Sequence, residues 1–400
     1  MKILILSCST GEGHNAAGEA VREAMKKRGH QADLIDVMSL GGEKCRHDVS
    51  QAYIDTVKYA PWFFGFLYIL GGAISEHSTL EHHSPVYWAN SFLADKLASY
   101  IKWGGYDAVV CSHLYAAEIL TCLRQRDRLD IPFISVGTDY TLIPFWEETA
   151  CDAFAIPHRD CAAQYISRGI PESKVFPSGI PVRAEFEEAL KMDVEYARQK
   201  LGLPSSGTIA LLMGGSMGFG NMLKTVRHLD ARLGPDEFAV VICGTNHALE
   251  QDLRHHFGGS SQIRIVGYSA RIAEYMRASD IIVTKPGGIT STEAAFMKLP
   301  IVHSEPIPGC EDINRDFFRV HGMSVSGETV REQLENGWEL LHNPGKREDI
   351  RRCQQFNINP LAAEDICLLT ENLVTEPDRQ KAVNESLLFR PARSGGEGAI

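Results

Sequence analysis

At 400 residues, 44% hydrophobic and 23% charged, the chain has the balance of an ordinary globular protein and enough length for two cores. A formal net charge of −11 argues against nucleic acid as a partner, because such binding rests on Lys and Arg neutralising phosphates; a membrane surface stays open, since a local patch decides that contact. The ten cysteines form no Cys-x-x-Cys pair, and Cys8, Cys111 and Cys243 fall in strand-like runs, which points to buried, reduced thiols and a reducing compartment.

The chain opens on Lys2 to Ser7, a central-strand pattern, followed by the loop Ser9-Thr-Gly11-Glu-Gly13-His14-Asn-Ala-Ala-Gly18 and a helix with Ala17, Val21, Ala24 and Met25 on one face. Met1 to Ser7 carries one Lys, a very short apolar run and no small-residue cleavage site, so no signal peptide is expected. Tyr59 to Ser75 is an uncharged stretch containing Pro61, Trp62, Phe63, Phe64 and Phe66. It is shorter than the ~20 residues that span a bilayer, which leaves two readings: a buried core helix, or an interfacial segment with aromatics at headgroup depth. His77, His82 and His83 match no strong zinc spacing and are expected in a solvated loop.

Further strand-like runs at Ala32 to Val37, Ala108 to Cys111, Phe133 to Val136 and Ala153 to Ile156 alternate with helix-like segments, the mark of a parallel sheet with crossover helices. The proline-punctuated stretch from Phe176 to Arg183 reads as a hinge. The alternation restarts at Ile209 to Met213, Ala239 to Cys243, Ile263 to Val266, Ile281 to Thr284 and Ile301 to His303. The expected fold class is α/β with two Rossmann-like domains facing an interdomain cleft: 1–178, 179–375, and a tail at 376–400 whose end is Gly-rich.

The second half repeats the strand, glycine turn and helix arrangement twice, at Gly214-Gly215-Ser216-Met-Gly218 after the Ile209 run and at Lys285-Pro-Gly287-Gly288-Ile-Thr290-Ser-Thr-Glu293 after the Ile281 run. Helix N-termini and glycine backbones attract phosphate, and Glu293, about one turn into its helix, suits the hydroxyls of a ribose.

These motifs, with Thr138-Asp139-Tyr140, Pro144-Phe-Trp146, Gly179-Ile-Pro-Val, Cys243-Gly-Thr-Asn246 and Pro306-Ile-Pro-Gly309, resemble in order those of the monogalactosyldiacylglycerol synthases and processive diacylglycerol glucosyltransferases of glycosyltransferase family 28. The resemblance covers roughly residues 1 to 375 and implies the GT-B architecture. It implies transfer of a hexose from UDP-glucose or UDP-galactose to a lipid acceptor such as diacylglycerol, with the UDP-sugar as co-substrate and no further cofactor. It also implies a cytoplasmic protein associated peripherally with the cell membrane, its acceptor and membrane side including Gly11, Gly13, Pro61, Trp62, Phe63, Phe64 and Phe66.

Glycosyl transfer needs a base for the acceptor hydroxyl and stabilisation of the leaving diphosphate. No Asp-x-Asp pair is present to hold a metal, so helix N-termini and the N–H groups of Gly214, Gly215 and Ser216 are the natural substitute and no metal site is expected. His14 is the expected base, as the resemblance also implies, with Asp139 to orient it or act in its place. By resemblance Ser216 contacts the diphosphate and Glu293 the ribose, the backbone around Gly267 and Tyr268 the uracil, and Glu311, Asp312 and Asn314 the hexose. Cys310 stands where related sequences often have Gln, and Ile143 where several have His, which leaves sugar and acceptor identity open.

Three rival readings remain at this level. The Gly11-x-Gly13-x-x-Ala16 spacing with Asp36 also fits a dinucleotide fingerprint, but leaves the two later glycine loops unexplained. An enzyme of the same fold that uses UDP-N-acetylglucosamine, as a lipid-linked transferase or a 2-epimerase, and a UDP-sugar sensor without turnover are the others.

Overall fold

A computed structural model of the protein describes residues 1–9, 11–215, 218, 221–327 and 329–375. Two compact units divide it: Met1–Ile54, Phe66–Pro181 and the chain from Asn359 form the first, and Asp55–Gly65 with Val182–Ile358 form the second.

The first unit is built on six parallel strands, β1 (Lys2–Ser7), β2 (Gln31–Asp36), β3 (Ala108–Cys111), β4 (Phe133–Val136), β5 (Ala153–Ala155) and β6 (Val175–Phe176), in the order β2-β1-β3-β4-β5-β6. Ile3 is in register with Ala32 on one side and Ala108 on the other, so β1 is central, and its run from Ile3 to Ser7 is buried throughout. That is why its sequence is a continuous apolar run rather than an alternating one.

The second unit repeats the plan with β7 (Thr208–Met213), β8 (Glu237–Ile242), β9 (Ile263–Val266), β10 (Ile281–Thr284), β11 (Ile301–His303) and β12 (Ser324–Ser326), ordered β12-β11-β10-β7-β8-β9. Its core gathers Leu212, Val226, Val241, Leu253, Val302 and Leu340 between sheet and helices. Two Rossmann-like units of this kind are the domains of the GT-B class.

Two features depart from the sequence reading. The short edge strands β6 and β12 carry no apolar run long enough to announce them. The Ala362–Thr375 helix, placed by the sequence with the second domain, packs in the first unit: Ile366, Cys367, Leu369 and Leu373 join the core beside Val21 and Met25. Glu371 then takes Arg28 in a two-point ion pair, 2.7 and 2.6 Å, and His30 at 2.7 Å. The change of unit at Pro181 and Val182 falls inside the expected hinge.

Candidate functional site

In an open parallel sheet the ligand crevice lies at the carboxyl ends of the strands where their order reverses. In the first unit that point falls between β1 and β3. The Glu12–Lys27 helix starts beyond Gly11, whose φ of 119° suits glycine, and runs close over the sheet, since a Cβ on Gly18 would lie 2.9 Å from Leu34 Cδ1. His14, in the first turn, is thereby set beside the residues that follow β3. Its Nδ1 lies 2.7 Å from the Ser112 carbonyl oxygen and 3.3 Å from Thr138 Oγ1, while Ser112 Oγ donates to the His14 carbonyl at 2.9 Å.

A carbonyl oxygen only accepts, so Nδ1 carries the proton of the neutral ring and the lone pair is left on Nε2. Burial lowers the His14 pKa below its ordinary value; the Asp139 carboxylate and the bond to Ser112 pull the other way. The imidazole is therefore neutral near pH 7 and able to accept a proton. The charge of Asp139 acts on His14 from outside its hydrogen bonds to Ser112 and Thr138.

In the second unit the strand order reverses between β7 and β10. Gly214 and Gly215 leave β7, and Gly215 adopts a φ of 73°; a Cβ there would lie 2.9 Å from Lys285 Cε. Lys285 leaves β10, and the Gly288–Phe296 helix follows with no side-chain hydrogen bond at its Gly287 cap. The Lys285 ammonium is ion-paired with Glu311, whose second oxygen accepts the Ile307 N–H at 2.9 Å. A Cβ on Gly287 would lie 3.6 Å from Glu311 Oε1 and 3.7 Å from Lys285 Nζ. A glycine turn, a helix N-terminus, an ammonium and a buried carboxylate thus share one small region, a combination suited to a polyphosphate with hydroxyls beside it.

Glu293 is buried on the same helix, with Thr290 half-buried before it and Gly288 buried at its start. Burial pushes the Glu293 carboxyl up to about 7, with Arg183 opposing the rise and Glu185 adding to it. Other expected contacts lie just past β9 and on the helix that carries Glu311. Gly267 and Tyr268 follow β9, an edge strand, where Gly267 packs against Glu250 and Tyr268 is exposed. Asp312 accepts the Gly309 N–H at 3.2 Å and so caps its own helix, Cys310–Val320, while Asn314 is fully buried. Ser216 and the side chains of Pro61 and Phe64 lie outside the described residues.

The sequence reading left Lys285, Arg183, Ser112 and His113 out of its site. Only their positions, just past strand ends or just before a helix, mark them. Asp36, the ribose residue of the dinucleotide reading, accepts the Ser9 N–H at 3.0 Å and the Met38 N–H at 2.8 Å, so both its oxygens are engaged locally.

Residues 61–75 form one helix, Pro61–Ser75, and the core-helix reading is corrected: Trp62, Phe66 and Ile69 are 74, 55 and 72% exposed. Its last residue is anchored, Ser75 Oγ accepting the Phe145 N–H at 2.9 Å and bonding to Glu147. Among the described residues no helix is long and apolar enough to cross a membrane. His77 and His82 are exposed as expected, whereas His83 stacks on Tyr87 with ring centroids 3.7 Å apart.

Comparison with known proteins agrees with this layout. The sequence profile of the monogalactosyldiacylglycerol (MGDG) synthase family matches residues 14–182, and that of the glycosyltransferase family 28 C-terminal domain matches 209–303. A processive diacylglycerol beta-glucosyltransferase of Bacillus pumilus is 27% identical over 88% of this chain and 89% of its own length; one of Bacillus subtilis is 25% identical over 96% and 99%. Among solved structures, a putative UDP-N-acetylglucosamine 2-epimerase from Listeria monocytogenes superposes with a TM-score of 0.62 at 14% identity, covering 95% of this chain and 98% of that one, a likeness of fold alone. The chain is thus similar to the monogalactosyldiacylglycerol synthase family over residues 14–182 and to the glycosyltransferase family 28 C-terminal domain over 209–303, the family its motifs resemble.

Proposed function

We propose that the protein is a UDP-sugar-dependent hexosyltransferase that moves glucose or galactose onto the hydroxyl of a diacylglycerol-type lipid at a membrane surface. The observation that carries the reading is the His14 tautomer, proton on Nδ1 against Ser112 and lone pair on Nε2, in a chain whose relatives over nearly its full length are named diacylglycerol glucosyltransferases. The acceptor O–H gives its proton to Nε2 as its oxygen bonds to the anomeric carbon; the bond from that carbon to the β-phosphate oxygen breaks, and UDP leaves with the electron pair. The second unit supplies the counter-charge: the N–H groups of Gly214 and Gly215, the start of the Gly288–Phe296 helix, and Lys285 released from Glu311. Glu293 takes the ribose, and Glu311, once free of Lys285, accepts hexose hydroxyls. The exposed aromatic helix supports peripheral contact with the cytoplasmic face of a membrane.

The deciding experiment incubates the protein with diacylglycerol micelles and, separately, UDP-glucose, UDP-galactose and UDP-N-acetylglucosamine, with and without EDTA, and reads products by mass spectrometry. A monohexosyl lipid whose yield EDTA leaves unchanged is expected. An epimerised sugar nucleotide, or binding with no product, would replace the reading with an epimerase or a sensor. His14→Ala is expected to lower turnover about 10²- to 10⁴-fold with UDP affinity intact, the usual scale of a general base.

A further inference from the structure

The residue that follows Ser112 meets the proposed base through its ring. His113 packs edge-on to His14, ring centroids 4.5 Å apart at 77°. It is also the N-cap of the Leu114–Gln125 helix, its Nδ1 accepting the Tyr115 N–H at 3.2 Å, and its ring meets Tyr115 at 4.5 Å. We propose that His113 is a positioning residue for His14, its ring packed edge-on and fixing the plane of the His14 imidazole so that Nε2 stays aimed at the acceptor hydroxyl. The proposal rests on the reading of His14 as base.

The need for such a device follows from the other contacts. The contacts to the Ser112 carbonyl and to Thr138 Oγ1 both fall on Nδ1, and a turn about the Cβ–Cγ bond that loosened them would swing Nε2 away. The His113 ring against the imidazole removes that freedom, a contact separate from the bond by which His113 caps its own helix. Misplacement of a reacting atom by about 1 Å costs about 10²-fold in rate, so one ring contact is enough to matter. His113 also remains uncharged while His14 holds a proton: burial first, and the neighbouring His14 charge second, keep its pKa well below the ordinary value. The other titratable groups around the two rings are Asp139 after β4, acting on His14, Tyr115 in the first turn of the capped helix, and Cys8 and Glu118, which act on Tyr115.

His113→Asn and His113→Phe separate the ring from the cap. Asn accepts the Tyr115 N–H but offers no ring; Phe offers the ring and no cap. Measured with His14→Ala as reference, His113→Asn is expected to lower kcat about tenfold, leave donor KM unchanged, and move the acid limb of the pH profile upward as water reaches His14. His113→Phe is expected to keep kcat within about threefold of the parent and the acid limb in place. Parental kcat and pH profile in His113→Asn would make His113 a helix cap and overturn the proposal, as would His113→Phe falling as far as His113→Asn at equal helical content. If His113→Phe does not fold, the kcat and acid limb of His113→Asn alone decide between the two roles. A His14→Ala variant with parental turnover would remove the base itself, a failure of the underlying reading that is visible apart from the His113 series.

Discussion

Arg183 reaches to within 3.6 Å of Glu293 Oε1, so the carboxylate proposed to hold the ribose already faces a cation of its own unit. Arg183 also pairs with Glu185 at 2.8 Å. Burial raises the Glu293 carboxyl and Arg183 limits the rise, leaving it at about 7.

A pH dependence with two opposite faces follows. Ribose hydroxyls donate to the ionised carboxylate, so UDP affinity is expected to strengthen as pH rises through about 7. The folded-state pKa is raised, so the group's contribution to stability is fully present below the unfolded value of 4.5 and is lost as pH rises through about 7. Calorimetry at several pH values should find this slope in the parent and none in Glu293→Gln. Glu293→Ala should weaken UDP binding by about 1 to 3 kcal/mol. Affinity in the parent that does not vary with pH would leave Glu293 a structural residue.

Lys285→Met tests the other buried charge pair. Removing the ammonium strands Glu311, whose side chain is 8% exposed, and breaking a buried pair from one side costs about 3 to 5 kcal/mol. Urea denaturation should show that loss, and the added change Glu311→Gln should recover most of it. Donor binding should stay weak in the double variant, because the diphosphate still lacks its cation. Full recovery of binding would confine Lys285 to a structural role.

The central strands and the glycine turns were legible because both have local causes. A strand buried on two faces must be a continuous apolar run, and a turn at the end of such a strand needs glycine where φ is positive, as at Gly215. Edge strands of two or three residues, β6 and β12, leave no run to read. The return of the Ala362–Thr375 helix to the first unit depends on which of two apolar surfaces accepts it, and both units offer one. Lys285, Arg183 and His113 act through partners distant in the chain, and a single Lys, Arg or His in sequence carries no mark of its partner.

The Pro61–Ser75 helix presents Trp62, Phe63 and Phe66 to solvent while Ser75 ties its end to the Phe145 backbone. Triple replacement of these aromatics by Ser removes mainly exposed apolar surface. Sedimentation with anionic phospholipid vesicles should therefore fall sharply while UDP affinity and urea midpoint hold. An unchanged vesicle-bound fraction would move the membrane contact elsewhere, and a large drop in urea midpoint would show that these aromatics hold the fold rather than a membrane.

Glu118 and Glu148 form a buried carboxyl pair in the first unit that holds the short Pro85–Asn90 helix at both ends. Glu148 accepts the Ser84 N–H and hydroxyl, each at 2.6 Å, at the helix start, and Glu118 takes Asn90 at its end. Burial pushes Glu118 up to about 8, Asn90 opposes, and the charge of Glu148 and a hydrogen bond to it add to the rise. A protonated Glu118 donating to Glu148 satisfies an oxygen, Oε1, that otherwise has no partner. Because the folded-state pKa is raised, this contribution to stability is fully present below 4.5 and fades as pH climbs through about 8. Glu118→Gln keeps an acceptor for Asn90 and a donor for Glu148 without the titration. Its unfolding free energy from urea titration should vary less with pH than the parent's from about pH 6 to 9 and should exceed it at the alkaline end by about 1 kcal/mol. Parallel curves for parent and variant would mean that Glu118 holds no proton in this range and that the Pro85–Asn90 helix is fixed by packing alone.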